Sequence, residues 1–221
     1  MNITLSNQIL DELDISNLLN LATDSTQFKE INTLSGYGHY RLLKYLSFCF
    51  NNSLFIDIGT FKGASAFSLA SNSTNKIISF GIEERIIPIM ETIKYLPQNI
   101  NLCRLNNVDF IITNDFTYYL NIILKSELIF LDIDHSGKKE KEFYELLLKN
   151  NYKGIMLLDD IYIYKIFQGE KKCLIGMENF WNDIKNNNNV YDISKFGHGP
   201  KKAPTGTGLI DFSKEIKLIL K

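Results

Sequence analysis

A change of periodicity at Leu54 constrains this chain more than any other feature of its sequence. From that point strand-length apolar runs alternate with polar turns and helical segments: a buried run Leu54–Ile58, a glycine-containing turn 59–63, a helical stretch 64–70, a polar turn 71–75 and a second apolar run 76–80. Further apolar runs at 108–113, 127–133, 154–158 and 208–212 are separated by segments of helical character, notably Lys138–Lys149 and 178–184. Such alternation predicts α/β architecture, a doubly wound and mostly parallel sheet with crossover helices. In sheets of this kind ligands collect outside the carboxyl ends of the strands, so the residues that follow each run carry the functional information.

Upstream of Leu54 the pattern is helical. Ile9, Leu10, Leu13, Ile15, Leu18, Leu19 and Leu21 recur at helical spacing, 24–32 reads as a polar connector, and 40–50 places Leu42, Leu43, Leu46 and Phe50 on one side. The expectation is an N-terminal helical extension, 1–52, packed on a core that spans 53–221. A chain of 221 residues with 45% hydrophobic and 22% charged residues can build one substantial core. Lys+Arg 24 against Asp+Glu 25 leaves a net charge of −1, which argues against a coat for phosphate backbone, so nucleic acid is not an expected partner. No apolar run approaches the roughly 20 residues of a membrane helix, and residues 1–10 lack the basic-then-apolar order of a secretory signal. Cys49, Cys103 and Cys173 are far apart and form no Cys-x-x-Cys pair, which speaks against a disulfide framework or a zinc site. A cytoplasmic, reducing location without a membrane partner is expected.

The first chemical motif is Phe55-Ile56-Asp57-Ile58-Gly59-Thr60-Phe61-Lys62-Gly63-Ala64-Ser65. An acid near the end of a strand, a glycine where the chain turns and a second glycine opening a helix let backbone approach a nucleoside ligand closely, and the helix start accepts an anionic group. The spacing is Gly-x-x-x-Gly, without the dinucleotide Gly-x-Gly-x-x-Gly or the Gly-Lys-Ser/Thr of a phosphate loop. The segment resembles motif I of class I S-adenosylmethionine-dependent methyltransferases, in particular the small-molecule O-methyltransferases of the catechol and caffeoyl-CoA type, whose loop reads acid-x-Gly-x-x-x-Gly-x-Ser. The resemblance implies a Rossmann-like fold and S-adenosyl-L-methionine as cofactor. Asp57 and Gly59 would lie by its methionine moiety and Ser65 near its carboxylate, with Thr60 and Gly63 in the same loop. In that superfamily an acid at the end of the second strand takes both ribose hydroxyls. Here Gly81 stands at that position, a departure, and Glu83 is the replacement, with Glu84 next; both also read as solvated surface acids. Asp115, beside Asn114, matches the place of groups near the adenine.

The second constellation is Asp132-Ile133-Asp134-His135, followed by a helical segment and then Asp159-Asp160. Asp159 follows Asp132 by 27 residues, the length of one strand–helix–strand crossover, so these acids should end neighbouring parallel strands. Three carboxylates brought together repel one another, and a hard divalent cation is the economical way to hold them. The pattern is similar to metal-dependent O-methyltransferases, which implies Mg²⁺ or another divalent cation on Asp132, Asp159 and Asp160, with Asp132 also bordering the cofactor. The competing reading has Asp159 or Asp160 capping a helix and Asp132 bonded to loop amides. His135 is the first candidate for the base that deprotonates an acceptor hydroxyl, because an imidazole titrates near working pH, and Asp134 is the second.

The outer segments are less specific. Tyr40 or Arg41 can touch cofactor or substrate, though a packed helix start is the simpler role; the loop 197–208 borders a pocket or forms a hairpin; Phe180, Trp181 and Ile184 read as core or subunit contact. The resemblance implies methyl transfer to a hydroxyl of a small-molecule acceptor, a sugar or glycoconjugate favoured because Asp-x-Asp-His with Asp-Asp is more like the sugar-modifying relatives. A metal-independent methyltransferase of protein or RNA, and a non-catalytic cofactor-binding partner subunit, stand as alternatives. A homodimer is left open.

Overall fold

In a computed structural model of the chain, residues 1–24, 36–94, 107–162, 175–196 and 206–221 are described. The apolar runs become strands because each is short, rich in Ile, Leu and Phe, and bounded by turn-forming residues. They are β2 (Leu54–Ile58), β3 (Lys76–Gly81), β4 (Val108–Ile112), β5 (Leu128–Leu131), β6 (Ile155–Asp159) and β8 (Thr207–Asp211), joined by a short β7 (Val190–Asp192). The sheet order is β4-β3-β2-β5-β6-β8-β7. From β4 to β6 every neighbour is parallel, whereas β8 runs antiparallel to both β6 and β7. Strand order reverses at β2, which lies between β3 and β5 and so marks the crevice where a ligand can enter.

The pleat sorts side chains into two layers. Phe55, Ile77, Phe130 and Leu157 point to one face and share a core with α1 (Asn7–Glu12), α2 (Ser16–Asp24), α3 (Gly36–Phe48), α4 (Ala64–Leu69) and α5 (Glu83–Lys94), through Leu10, Leu18, Leu42, Leu46, Phe67 and Ile89. Ile56, Ile58, Phe80, Ile129, Leu131 and Met156 point the other way. They pack on Ile123 of α6 (Leu120–Ile123), Phe143 and Leu147 of α7 (Lys138–Lys149), and Met177 and Trp181 of α8 (Ile175–Ile184). Phe180, Trp181 and Ile184 are therefore core residues. Among the described residues no helix is long and apolar enough to cross a membrane.

The N-terminal segment differs from the helical expectation at its start. Residues Asn2–Leu5 form β1, which pairs in parallel with β9 (Lys217–Leu220) in register Asn2↔Lys217 to Leu5↔Leu220. Four-residue strands carry too little alternation to be read from sequence; only the partner makes them strands. Ile3 and Leu5 are fully buried and belong to the same cluster as Phe55 and Phe130, and Tyr45 Oη of α3 donates to the Thr4 carbonyl at 2.5 Å. Leu5→Ala is expected to cost about 2–5 kcal/mol, as large a loss as Leu157→Ala in the central sheet. Urea denaturation followed by circular dichroism should show one transition shifted by either change; a separate early transition for Leu5→Ala would show that the β1–β9 pair unfolds independently of the central sheet.

Candidate active site

The carboxyl edge of the parallel strands encloses a cavity of about 890 Å³, inside the range of roughly 300–1,000 Å³ typical of small-molecule sites. Its wall includes Gly59, Thr60, Phe61, Lys62 and Ser65 from the segment after β2, Gly81 at the end of β3 with Ile82 and Arg85 beyond it, Asn114 and Asp115 after β4, Asp132 and His135 after β5, and Asp159 at the end of β6 with Asp160 beyond it. Gly59 adopts φ +103°, and a Cβ there would lie 1.6 Å from the carbonyl oxygen of Asp132. Only glycine permits this contact between two backbones. It folds the loop over the sheet edge, where the amides of Gly59 and Thr60 donate to the Phe80 carbonyl at 3.0 and 3.1 Å.

Asp57 acts from beneath the loop. It is buried on the α3–α4 face, where its Oδ2 accepts from Thr60 Oγ1 at 2.7 Å and from Ser79 Oγ at 2.6 Å. The Thr60 and Ser79 hydroxyls also contact each other closely. Burial pushes the Asp57 carboxyl above the usual range, against the pull of hydrogen bonds from Ser79, Thr60 and Ser65 and of the nearby His39 imidazole. Asp57 thus shapes the cavity wall through Thr60.

A cluster of ionisable groups closes the opposite wall. His135 Nε2 lies 3.5 Å from Asp132 Oδ1 and 3.4 Å from Asp160 Oδ2. These three offer ligand atoms that all fall within 4.8 Å of one another. Asp159, expected beside Asp132 and Asp160, lines the same cavity and is the foremost of the carboxylates acting on Asp132. Its Oδ1 also accepts from Thr207 Oγ1 at 3.2 Å and lies 3.7 Å from His39 Nδ1. Asp159 is still within β6, paired with Thr207, so its side chain follows Leu157 to the α3 face, whereas Asp160 lies beyond the strand with φ +59°. His135 is likewise left-handed, φ +56°, and its backbone N–H donates to Glu140 Oε1 of α7 at 2.9 Å.

The electrostatics of this wall are unfavourable to the charges it holds. Burial and then the neighbouring carboxylates Asp159, Asp160, Asp57 and Glu140 hold Asp132 well above the usual carboxylate range. Burial pushes Asp159 up to about 6, opposed by the Asp160 amide, the nearby His135 imidazole and Thr207. Burial pushes His39 down to about 4 despite Asp160 and Asp57. A neutral imidazole, unlike an imidazolium, is what the interior of α3 accepts.

Other expected residues fall outside the cavity or are engaged. Glu83 and Glu84 are exposed on the first turn of α5 and are not part of the wall, where Gly81 and Arg85 stand instead. A side chain at Gly81 would press on the Thr60 carbonyl, with a Cβ at 3.1 Å, so the loop's own path disfavours an acid there. Asp115 lines the cavity, but its Oδ1 caps the short 3₁₀ helix Phe116–Tyr119 through Thr117, whose hydroxyl and amide hold the carboxyl low. Asp134 is half-exposed; against partial burial, Ser136 and Lys139 hold it below the usual range, a poor setting for a base. Gly63 opens α4 with φ +82° behind the wall. Arg41 donates to the Leu10 and Asp11 carbonyls, a packing role, while Tyr40 lines the cavity. The loop 197–208 lies outside the described residues up to Thr205. Sequence reasoning missed His39 and Glu140; the only signals were Gly36 and Gly38 before His39, and an acid on the first turn of the helix after His135.

No family model and no curated protein matches the sequence. Solved structures do match. Cofactor-bound Rv0187 from MTB superposes with TM-score 0.61 at 13% identity, over 93% of this chain and 95% of that one. The O-methyltransferase from Bacillus cereus in complex with SAH gives 0.59 at 15%, over 93% and 96%. The O-methyltransferase TomG from Streptomyces achromogenes, involved in tomaymycin synthesis and solved with SAM, gives 0.60 at 14%, over 90% of each chain. At such identities the likeness is one of fold: the chain has the Rossmann-like fold of class I methyltransferases.

The Gly59 contact yields a discriminating prediction. Gly59→Ala meets a backbone oxygen and must separate β2 from β5, whereas Gly63→Ala, also at positive φ, meets only the side chains of Phe67 and Ile89 at 3.1–3.4 Å. Chemical denaturation should give a loss above the ~1–3 kcal/mol of ordinary overpacking for the first and within that range for the second; equal losses would mean that the backbone contact is not the constraint.

Proposed function

We propose that this protein is an S-adenosylmethionine-dependent O-methyltransferase that methylates a hydroxyl of a small molecule, a sugar or glycoconjugate favoured, with the assistance of a divalent cation. The observation that carries the reading is that one cavity is walled on one side by the Gly59–Ser65 loop and on the other by Asp132, His135 and Asp160. Cofactor and proton chemistry would then share a single space.

The residues suit both groups. The missing Cβ of Gly59 lets the loop close against the end of β5, and the cavity volume accommodates a nucleoside beside a small acceptor. The donor set at Asp132, His135 and Asp160 is short of positive charge, as the raised Asp132 carboxyl indicates. Bound S-adenosylmethionine supplies a methyl group on a sulfonium, an electrophile that needs no further activation. A cation held by Asp132, His135 and Asp160 supplies positive charge that makes a neighbouring hydroxyl more acidic. The chain's own residues position the reactants. Gly59, Thr60 and Ser65 would line the methionine end, with Asp57 holding Thr60 from behind, and Asn114 and Asp115 stand where an adenine edge can be read. Lys139 and Glu142 add polar groups to the wall that suit a polyhydroxy acceptor.

A second reading rests on the two His135 contacts. Set 3.4–3.5 Å from two carboxylates, Nε2 can take the proton of the acceptor hydroxyl, and Asp132 and Asp160 then stabilise the imidazolium. Calorimetric titration with S-adenosylmethionine and S-adenosylhomocysteine tests the cofactor. Micromolar binding, weakened roughly tenfold or more by Asp57→Ala, is expected; absence of heat and of any melting shift would sink the methyltransferase reading. Transfer of labelled methyl to a panel of sugars, with and without chelator, separates the two mechanisms: turnover lost in chelator while cofactor still binds supports the cation, and turnover unchanged in chelator but lost in His135→Gln supports the base.

A further inference from the structure

We infer that the nucleoside end of the cavity selects a ribose carrying a phosphate over a ribose with a free diol, and that Arg85, seated on the ring of Phe61, makes the selection. This rests on the reading above that the Gly59–Ser65 loop faces a nucleoside. A free cis-diol is held by a carboxylate, which accepts from both hydroxyls, whereas a ribose phosphate is held by an arginine, whose planar fork donates to the phosphate oxygens. The wall at the end of β3 is built for the second case.

The acceptor that a diol needs is missing from that wall. A Cβ at Gly81 would stand 3.1 Å from the Thr60 carbonyl oxygen and 3.2 and 3.3 Å from side-chain carbons of Ile86, so a carboxylate there has to displace the loop. The acids that follow, Glu83 and Glu84, are exposed on α5 and outside the wall. From Gly59 to Asn114 no described residue that lines the cavity is acidic.

Positive charge stands in place of the acid. Arg85 lies at the start of α5, where its backbone N–H donates to the Ile82 carbonyl at 3.0 Å, and its guanidinium carbon is 4.3 Å from the centre of the Phe61 ring. Lys62 Nζ approaches the same ring at 4.9 Å, and all three residues line the cavity. Phe61 is 42% exposed and belongs to neither hydrophobic layer, so its ring serves the cavity and not the core. Among the described residues Arg85 forms no ion pair. The aromatic face attracts the guanidinium but leaves its fork of N–H donors for a ligand. The cavity is therefore polarised along the sheet edge, with Lys62 and Arg85 after β2 and β3 and with Asp132, Asp159 and Asp160 at the ends of β5 and β6. Asp115, the acid between the two groups, is engaged by the amide and hydroxyl of Thr117. An anionic group on the ligand is drawn to the β2–β3 side and repelled from the other.

The test needs no turnover. Adenosine and its 2′-, 3′- and 5′-phosphates are titrated calorimetrically into the full-length protein at low and high salt, with ribose 5-phosphate and inorganic phosphate as controls. The 2′- or the 3′-phosphate should bind roughly tenfold or more tightly than adenosine, with a gain that shrinks at high salt. The 5′-phosphate, whose charge sits where S-adenosylmethionine carries its sulfur, should show no comparable gain. Arg85→Gln should erase the gain, and Arg85→Lys, a charge without the fork, should restore only part of it. Melting curves confirm that each variant is folded, and the wild-type ranking of the phosphates stands without any variant. Adenosine binding as tightly as its 2′- and 3′-phosphates, an equal gain from the 5′-phosphate, ribose 5-phosphate or inorganic phosphate binding as tightly as the nucleotide, a gain that survives Arg85→Gln, or no nucleoside binding at all would each overturn the inference. Titration with S-adenosylmethionine keeps the two claims apart: if it binds and the phosphates gain nothing, the methyltransferase reading stands and this inference falls, and a phosphate gain without S-adenosylmethionine binding does the reverse.

Discussion

The contact of Gly59 with the carbonyl of Asp132 is the constraint on which the rest of the site depends. It brings the loop after β2 directly against the end of β5, backbone to backbone, at the point where strand order reverses. Asp57 is sealed beneath that loop and Asp132 is left on the cavity side. A Cβ at residue 59 would push these strand ends apart and open both arrangements at once. The path of the loop also accounts for Gly81, because the Thr60 carbonyl passes over the end of β3 where an acidic side chain would otherwise stand.

The same edge concentrates charge that the fold does not neutralise by itself. Asp57, Asp132, Asp159 and Glu140 all have carboxyls raised by burial, and His39 is held neutral between α3 and the sheet. Such a wall is costly in the folded state, and the two hydrophobic layers offset that cost. Perturbed carboxyls at the mouth of a cavity are a feature of chemically active sites, because the ligand or ion that relieves them binds with the energy so stored. Glu140 has a double part: its carboxylate is one of the repelling groups, yet it fixes the backbone from which His135 reaches the cavity.

Much of the fold was legible because its central strands are buried on both faces and read as continuous apolar runs. Leu54–Ile58 was placed to the residue, and Lys138–Lys149 likewise. What escaped was short or dependent on a distant partner: β7 has three residues, and β1 and β9 exist only through each other across the length of the chain. In the cavity wall, Gly59, Thr60, Asp132 and Asp160 stand where the sequence pointed because each lies within two residues of the end of a recognisable strand, and Ser65 because it sits at the start of the following helix. Glu83 was not well placed by that logic, since the helix begins at once and carries the side chain to solvent. His39 escaped because it arrives from a helix before the first core strand, with no spacing that ties it to Asp159.

The sequence by itself determined the alternating architecture, the glycine turn after the first core strand and the gathering of acids at one edge of the sheet, since these follow from local periodicity and from where strands end. Only the tertiary structure decided which of those acids meet. Asp159, the last residue of β6, is bound by Thr207 and stands 3.7 Å from His39, while Asp160, past the strand and left-handed, comes 3.4 Å from His135, which also meets Asp132. That choice depends on where the hydrogen-bonded ladder stops, and the ladder stops where Thr207, 48 residues further along, pairs with Asp159.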